Sequence, residues 1–469
     1  MLPILLLIVL IPFIAIAPLL LADKKHAYTI SIAASLAVFA LAVFALLYAN
    51  GHGASGLNSS GMYISSLNLN LDLRINQPAL MLMLMTSIVF LAASFVGKYF
   101  IGERDTLYNV IFLLAEGSSL GVFLSANLFF LYVFWEVAEV MMFFIIFLYG
   151  GYNRRYASIK FIVYSILSSL MLLVGILVLY NAVTPHTFDI NTIVQSAAGI
   201  PAQTQLIVML LFVVSFLIKM PVFPLHSWLP DAHTEAPTTG SMVLAGVLLK
   251  FGGYGLYLMF LMLPAAAQYA PYLFVIFLFS TLYSAYVCLT QSNIKRLIAY
   301  TSITDMGIVG VGIAAMNTFG YTGAMYAMFN HGVAISLLFL IAGTLDHLYG
   351  TLEIDKIKGV IKNFAGMSYL FVAGVFAALG IPLTAGFIAD ILIFIGATTV
   401  FGAWGLAPLV GVLIMGAALF WVIERVFMSA SKAVEPYNPL DRAVMWSGAL
   451  LAGAAILFGL LPFLFLSIA

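Results

Sequence analysis

Apolar runs long enough to cross a bilayer recur from one end of this 469-residue chain to the other. Each run of about 20 residues reads as one transmembrane helix. Fourteen can be placed, near 2–22, 27–49, 77–100, 107–124, 126–150, 156–183, 204–224, 238–263, 271–291, 294–315, 320–346, 367–400, 405–428 and 441–467. With 64% hydrophobic residues, 8% charged residues and a mean hydropathy of +1.13, a soluble domain is excluded. The expected fold is therefore an all-α polytopic membrane protein. A net charge of zero without any basic tract leaves nothing to grip nucleic acid, and the apolar faces are too continuous for helices lying on a membrane surface. The single cysteine, Cys288, rules out an internal disulfide, a thiolate zinc site and cysteine-ligated iron–sulfur clusters. No cofactor-binding or metal site is visible in the chain. Residues 1–21 have no basic n-region and are followed by Asp23, Lys24 and Lys25, so they read as a retained anchor.

Charge tests the segmentation, because Lys and Arg in short loops set orientation. Odd-numbered loops hold Lys24 and Lys25, Lys98 and Arg104, Arg154, Arg155 and Lys160, Lys295 and Arg296, Lys356, Lys358 and Lys362, then Arg425, Lys432 and Arg442. Even-numbered loops hold only Arg74, and loop seven is the one odd loop without a basic residue. The alternation places both termini on the non-cytoplasmic side of what fits a bacterial or archaeal plasma membrane.

Two spans are interrupted. After Lys219 the seventh meets Pro221, Pro224 and Pro230, which remove backbone donors and force the helix open. The twelfth contains Gly380-Ile-Pro-Leu-Thr-Ala-Gly386, closely followed by Asp390. Irregular backbone at membrane depth persists only where protein or water satisfies it, so both breaks are expected to line a hydrated cavity. Broken helices five spans apart suggest two inverted five-helix repeats, helices four to eight and nine to thirteen. The chain then divides into residues 1–105, 106–265, 266–430 and 431–469.

Ionisable residues inside these helices form the candidate site. Glu136 lies near the middle of helix five, with Glu139 one turn further on the same face. Lys219 comes from helix seven, Lys250 from helix eight, His331 from helix eleven and Asp390 from just past the break in helix twelve. A helix centre penalises Lys by roughly 2.5 to 3.5 kcal/mol on insertion scales, so an intramembrane Lys is a functional hypothesis by default. Burial pushes a lysine toward neutrality and a neighbouring carboxylate restores its charge. At about 4 Å and an effective dielectric near 20 the pair interacts by roughly 4 kcal/mol. Moving or neutralising the acid would then let the lysine release its proton. The expectation is that Glu136 plays this part toward Lys219, with Lys250 and His331 passing protons through water toward Asp390.

Structural readings compete at several positions. Any buried Glu–Lys pair can be a plain ion pair, and Lys250 can reach the interface from a helix end. His331 can bond a neighbouring helix, and Glu139 and Glu116 fit either role. Asp305 falls within the first turns of helix ten and reads as partly solvated. His226, Asp231, His233 and Glu235 lie in the connection after helix seven, where they can relay protons or simply bond the loop. Gly252 and Gly253 read as close helix packing rather than a phosphate loop, because no Lys-Ser/Thr motif follows.

The stretch from Lys219 to Thr238, KMPVFPLHSWLPDAHTEAPT, and Asn293 to Ser302, NIKRLIAYTS, resemble signatures of the antiporter-like subunits of respiratory complex I and of Mrp-type cation/proton antiporters. The resemblance covers nearly the whole chain. It implies that Glu136 matches the helix-five glutamate of the family, Lys219 the broken-helix lysine, Lys250 the connecting lysine and His331 the helix-eleven histidine. Most members carry a lysine at the helix-twelve position; the acid Asp390 is similar to the M-type subunits, although aspartate is one methylene shorter than their glutamate. Asp305 departs from the histidine that many relatives have there, and no lateral helix of the L-type follows helix fourteen. The resemblance implies a proton-translocating subunit of an NADH–quinone oxidoreductase or relative, with flavin, iron–sulfur clusters and quinone in partner subunits. Neighbouring antiporter-like subunits and the lipid bilayer would be its surroundings. Alternatives are an Mrp-type Na+/H+ antiporter subunit without redox activity, or a membrane-bound hydrogenase or ferredoxin/F420-linked dehydrogenase.

Overall fold

The computed structural model describes residues 4–64, 69–102, 105–429, 436 and 438–467; Arg104 and Lys432, two of the basic loop residues, lie outside them. Fourteen helices are long and apolar enough to cross a membrane. They are α1 (Ile4–Leu21), α2 (Ala27–His52), α3 (Gln77–Ile101), α4 (Thr106–Leu124), α5 (Leu128–Tyr149), α6 (Arg154–Ala182), α7 (Ala202–Lys219), α8 (Thr238–Met262), α9 (Pro264–Cys288), α10 (Ile294–Ala314), α11 (Thr318–Tyr349), α12 (Ala365–Ala378 and, beyond its break, Ala385–Phe401), α13 (Pro408–Phe427) and α14 (Arg442–Leu460). Side chains fix many of the starts. Asn76, Asp105, Asn127, Asn293, Asn317 and Asp441 each accept a hydrogen bond from a first-turn amide, satisfying donors that a helix leaves orphaned.

The helices are not equal. Almost every residue of α3, α8, α10 and α11 is enclosed by protein, whereas α1, α2, α5, α6 and α12 to α14 show broad apolar faces outward. Glycines let the enclosed helices approach closely. A Cβ on Gly246 of α8 would collide with Ser336 and the Gly332 carbonyl of α11. Gly252 lies on the Phe216 carbonyl of α7 and Gly253 on the Met328 sulfur of α11, so the Gly-Gly pair wedges α8 between those two helices.

Loops meet according to the parity that charge gave. The second connection forms a hairpin absent from the sequence reading, β1 (Ser59–Ile64) antiparallel to β2 (Leu69–Leu73). Its end bonds the turn between α4 and α5, and that turn bonds the connection between α6 and α7. Arg74, the lone basic residue of the even loops, pairs there with Asp189 at 3.0 Å. On the opposite face, Lys160 and Arg296 both reach Asp231, at 2.7 and 3.5 Å, and the Gly151 amide donates to the Glu235 carbonyl. Loops five, seven and nine are thereby joined, on what is here called the basic face. Loop seven needs no cation of its own because its acid Asp231 recruits two from its neighbours.

Candidate functional site

The break in helix seven is built by capping side chains as much as by proline. Beyond Lys219 the chain turns through residues 220–227 and resumes as a short helix, Trp228–Glu235. The Trp228 indole donates to the Ile218 carbonyl at 3.0 Å, and Ser280 of α9 accepts the Phe223 amide at 3.0 Å. Two groups that the break would orphan inside lipid are thus satisfied by protein. Lys219 sits at this break, 1% exposed.

Its partner differs from the one expected. The Lys219 ammonium lies 2.6 Å from the Glu139 carboxylate and donates to the Ser165 hydroxyl at 3.0 Å, with the rings of Phe161 and Trp228 within 5.7 Å. Glu139, not Glu136, closes the ion pair. Both acids point from α5 toward α6, but only Glu139 is fully enclosed; Glu136 lies one turn back at the half-buried edge, with one carboxylate oxygen buried and unbonded among the described residues. Ser165 belongs to a row on α6, with Ser168 and Ser169, that turns toward α7, where Ser168 and Ser215 bond at 3.0 Å.

A second cluster lies where α8 meets α11. Leu244–Leu248 is a turn of π-helix, a widening common at functional positions. Lys250 follows it and donates back to the Ala245 carbonyl at 2.5 Å. The same ammonium stands 2.6 Å from Nδ1 of His331, and the far nitrogen of that ring, Nε2, lies 3.9 Å from Asp305. An imidazole so placed can take a proton at Nδ1 and give one up at Nε2. Lys250 is fully buried, so it does not extend to an interface.

Asp305 therefore requires a correction. It is the twelfth residue of α10, and it lines a cavity of about 20 Å³, room for one water, together with Asn330, His331 and Asp390. Asp390 is held at this cavity by the break in α12: Gly380, at φ +61°, leaves space that a Cβ would take from its carboxylate. The Asn330 amide donates to the Ala377 carbonyl at 2.9 Å, satisfying the open end of the first half of α12. His331, Asp305 and Asp390 are thus brought together.

A family model described as NADH:quinone oxidoreductase/Mrp antiporter, TM, matches residues 125–416. NADH-quinone oxidoreductase subunit M of Rickettsia prowazekii is 32% identical over 473 residues, covering 98% of this chain and 96% of the relative. The chain belongs to this family. F(420)H(2) dehydrogenase subunit M of Methanosarcina mazei is likewise 32% identical, over 98% of this chain and 95% of the relative. Among solved structures, respiratory complex I from Thermus thermophilus with bound NADH contains a chain of the same fold, with TM-score 0.90 at 24% identity, covering 98% and 96%.

Of three further candidates of this family member, His226 and Glu116 take no part in the two clusters, while His233 lies within electrostatic range of Lys250 and His331. His233 is fully buried and stacks on Phe339 with ring centroids 4.4 Å apart, neither nitrogen bonded among the described residues. His226 packs against Phe223 and Tyr283 with its Nδ1 unbonded among the described residues. Glu116 accepts a hydrogen bond from Ser35 of α2 at 2.7 Å. Asp231 and Glu235 act in the loop junctions already described. On the basic face, a cavity of about 290 Å³ opens beside Glu235, Thr238, Lys295 and Asp346. Lys295 was read as a loop charge, yet it is 4% exposed and points at Asp346 from 4.0 Å. Ser165, Asn330 and Lys295 are the site residues that sequence reasoning missed; only the serine row on α6, at helical spacing, carried a signal.

Proposed function

We propose that this chain is a proton-translocating membrane subunit of a complex I-like oxidoreductase, and that Glu139, Lys219, Lys250, His331, Asp305 and Asp390 carry the proton across its middle. The observation that carries the reading is the Lys219–Glu139 pair, fully enclosed at a helix break. A buried ion pair whose partner is removed leaves an uncompensated charge costing about 3–5 kcal/mol, so each state of one residue dictates the state of the other. Protonation of Glu139 removes the charge that holds Lys219 as ammonium and lets its proton move on. Glu136, at the half-buried edge of the pair, is the second carboxylate through which a neighbouring subunit would bias it. Protons enter from the basic-face cavity past Lys295 and His233 to Lys250, cross the His331 ring and reach Asp305 and Asp390.

The redox chemistry belongs to partner subunits, which would hold flavin, iron–sulfur clusters and quinone; coupling reaches this chain as charge or movement in adjoining helices. Both termini lie outside the cytoplasm, and residues 106–265 and 266–430 form the two inverted repeats. Two relatives of equal identity carry different donors in their names, so the donor is a property of the assembly. An Mrp-type antiporter subunit is the competing reading. Isolation of the native complex decides it: co-purified flavin and iron–sulfur proteins are expected, whereas sodium-dependent proton exchange without them would replace the proposal. In reconstituted vesicles Lys219→Ala should abolish pumping, and normal pumping would end the assignment of Lys219.

A further inference from the structure

Glu116 is the deepest acid that the relay does not use. It is 0% exposed, accepts a hydrogen bond from Ser35 at one carboxylate oxygen, and has its other oxygen buried without a partner among the described residues. Its surroundings form a graded polar face. Tyr28, Ser31 and Ser35 fall at i, i+3 and i+7 on α2, and Asn109 and Glu116 at i and i+7 on α4, so each set lies on one side of its helix. Both helices start on the basic face and run parallel. Their register is fixed at two levels: Ser35 meets Glu116, and Tyr28 lies beside Asn109, each pair separated by 81 residues (116 − 35 and 109 − 28).

Between those levels stands Ser31, 1% exposed, its hydroxyl without a partner among the described residues, while the Tyr28 side chain meets that of Asn109. At the outer end the half-buried Asp105 accepts from the Tyr149 hydroxyl at 3.0 Å, and its backbone carbonyl accepts from Asn109 at 2.7 Å. Glu116 is ten residues into α4, about 15 Å at 1.5 Å per residue, which is half of a hydrocarbon core about 30 Å thick. Glu139 is likewise ten residues from the basic-face end of α5, so the two acids share one depth, Glu116 facing α2 and Glu139 paired with Lys219 of α7.

We propose that Glu116 is a second proton-binding site, loaded from the basic face along Asp105, Asn109, Tyr28, Ser31 and Ser35, independently of the Lys219 and Lys250 route. The hydroxyls of Tyr28 and Ser31 each donate and accept, and they stand about one helical turn, roughly 5 Å, apart, a gap that one bridging water closes for stepwise proton passage. Glu116 then stores a proton in the same layer as the Lys219–Glu139 pair.

The test uses the intact complex in phosphatidylcholine vesicles. Dicyclohexylcarbodiimide, which attacks protonated carboxyls from the lipid phase, should form an adduct at Glu116 that mass spectrometry locates. Infrared spectroscopy should show a protonated carboxyl band, absent in Glu116→Gln and shifted in Glu116→Asp, that exchanges in D2O. Exchange should slow several-fold in Tyr28→Phe/Ser31→Ala and stay at the wild-type rate in Lys219→Ala, which lacks pumping. No adduct at Glu116, or exchange indifferent to the Tyr28 and Ser31 substitutions, overturns the site. Exchange lost in Lys219→Ala overturns its independence while leaving the main relay in place.

Discussion

At the level of single residues, the exchange of Glu136 for Glu139 is the informative result. The two acids share a helix face, and only the position of α6 and α7 against α5 decides which one meets the lysine. That is tertiary information, invisible in spacing. Glu139→Gln leaves a buried ammonium without its counter-charge, so a loss of about 3–5 kcal/mol is expected in thermal unfolding of the complex, together with lost pumping. The double variant Glu139→Gln/Lys219→Gln should recover most of the stability and none of the pumping. Glu136→Gln leaves the pair closed, and its effect on unfolding should stay within about 0.5 kcal/mol. If Glu136→Gln destabilises as much as Glu139→Gln, the pairing described for Lys219 is wrong. Asp305 was misread for a related reason: the sequence reading assigns it to the first turns of helix ten, yet it is the twelfth residue of α10, and only the packing of α11 and α12 around it shows that it is covered.

At the level of elements, one kind of irregularity could be read and another could not. Prolines announced the opening of helix seven, and Gly380 with its neighbours announced that of helix twelve, because both residue types have local backbone consequences. The π-turn at Leu244–Leu248 has no such signature: nothing in Leu-Ala-Gly-Val-Leu marks a widened turn, which lies where Gly246 packs against Gly332 of α11. What holds the breaks open is testable. Trp228→Phe keeps an aromatic ring and removes the donor to the Ile218 carbonyl, an orphaned buried acceptor that should cost about 1–3 kcal/mol, with the cavity left by the smaller ring adding to the loss. Gly380→Ala must place a methyl against the Asp390 carboxylate at a backbone angle that L residues resist. Its expected phenotype is an assembled complex with impaired pumping, measured by quenching of a pH-sensitive dye in inverted vesicles; full activity would show that Asp390 is free to relocate.

For the molecule as a whole, topology was legible in charge because one side carries a single basic loop residue, Arg74, and the loop junctions respect the same division. The β hairpin escaped notice because its strands are short and lie outside the spans, although the Leu-Asn-Leu-Asp-Leu alternation of β2 is a strand pattern. Sidedness can be measured directly. Cys288 is buried, so Cys288→Ala provides a background for introduced thiols. In it Tyr152→Cys, at a position 99% exposed on the basic face, should react with a membrane-impermeant maleimide only from the cytoplasm. Ala198→Cys, on the opposite face, should react only from outside, and the reverse pattern would invert the proposed orientation.

The fourteenth helix bears on how the protein is made. It packs on α3, α11 and both halves of α12, its Ser447 hydroxyl bonds the Ala92 carbonyl of α3, and the chain just beyond it is tied by Gln77 and Asn50 to the starts of α3 and the end of α2. A wall of the central compartment is therefore translated after the helices it covers. Until the ribosome delivers it, α3 must wait in the membrane with one side uncovered, which makes the half-made subunit a natural client for insertion factors and quality-control proteases.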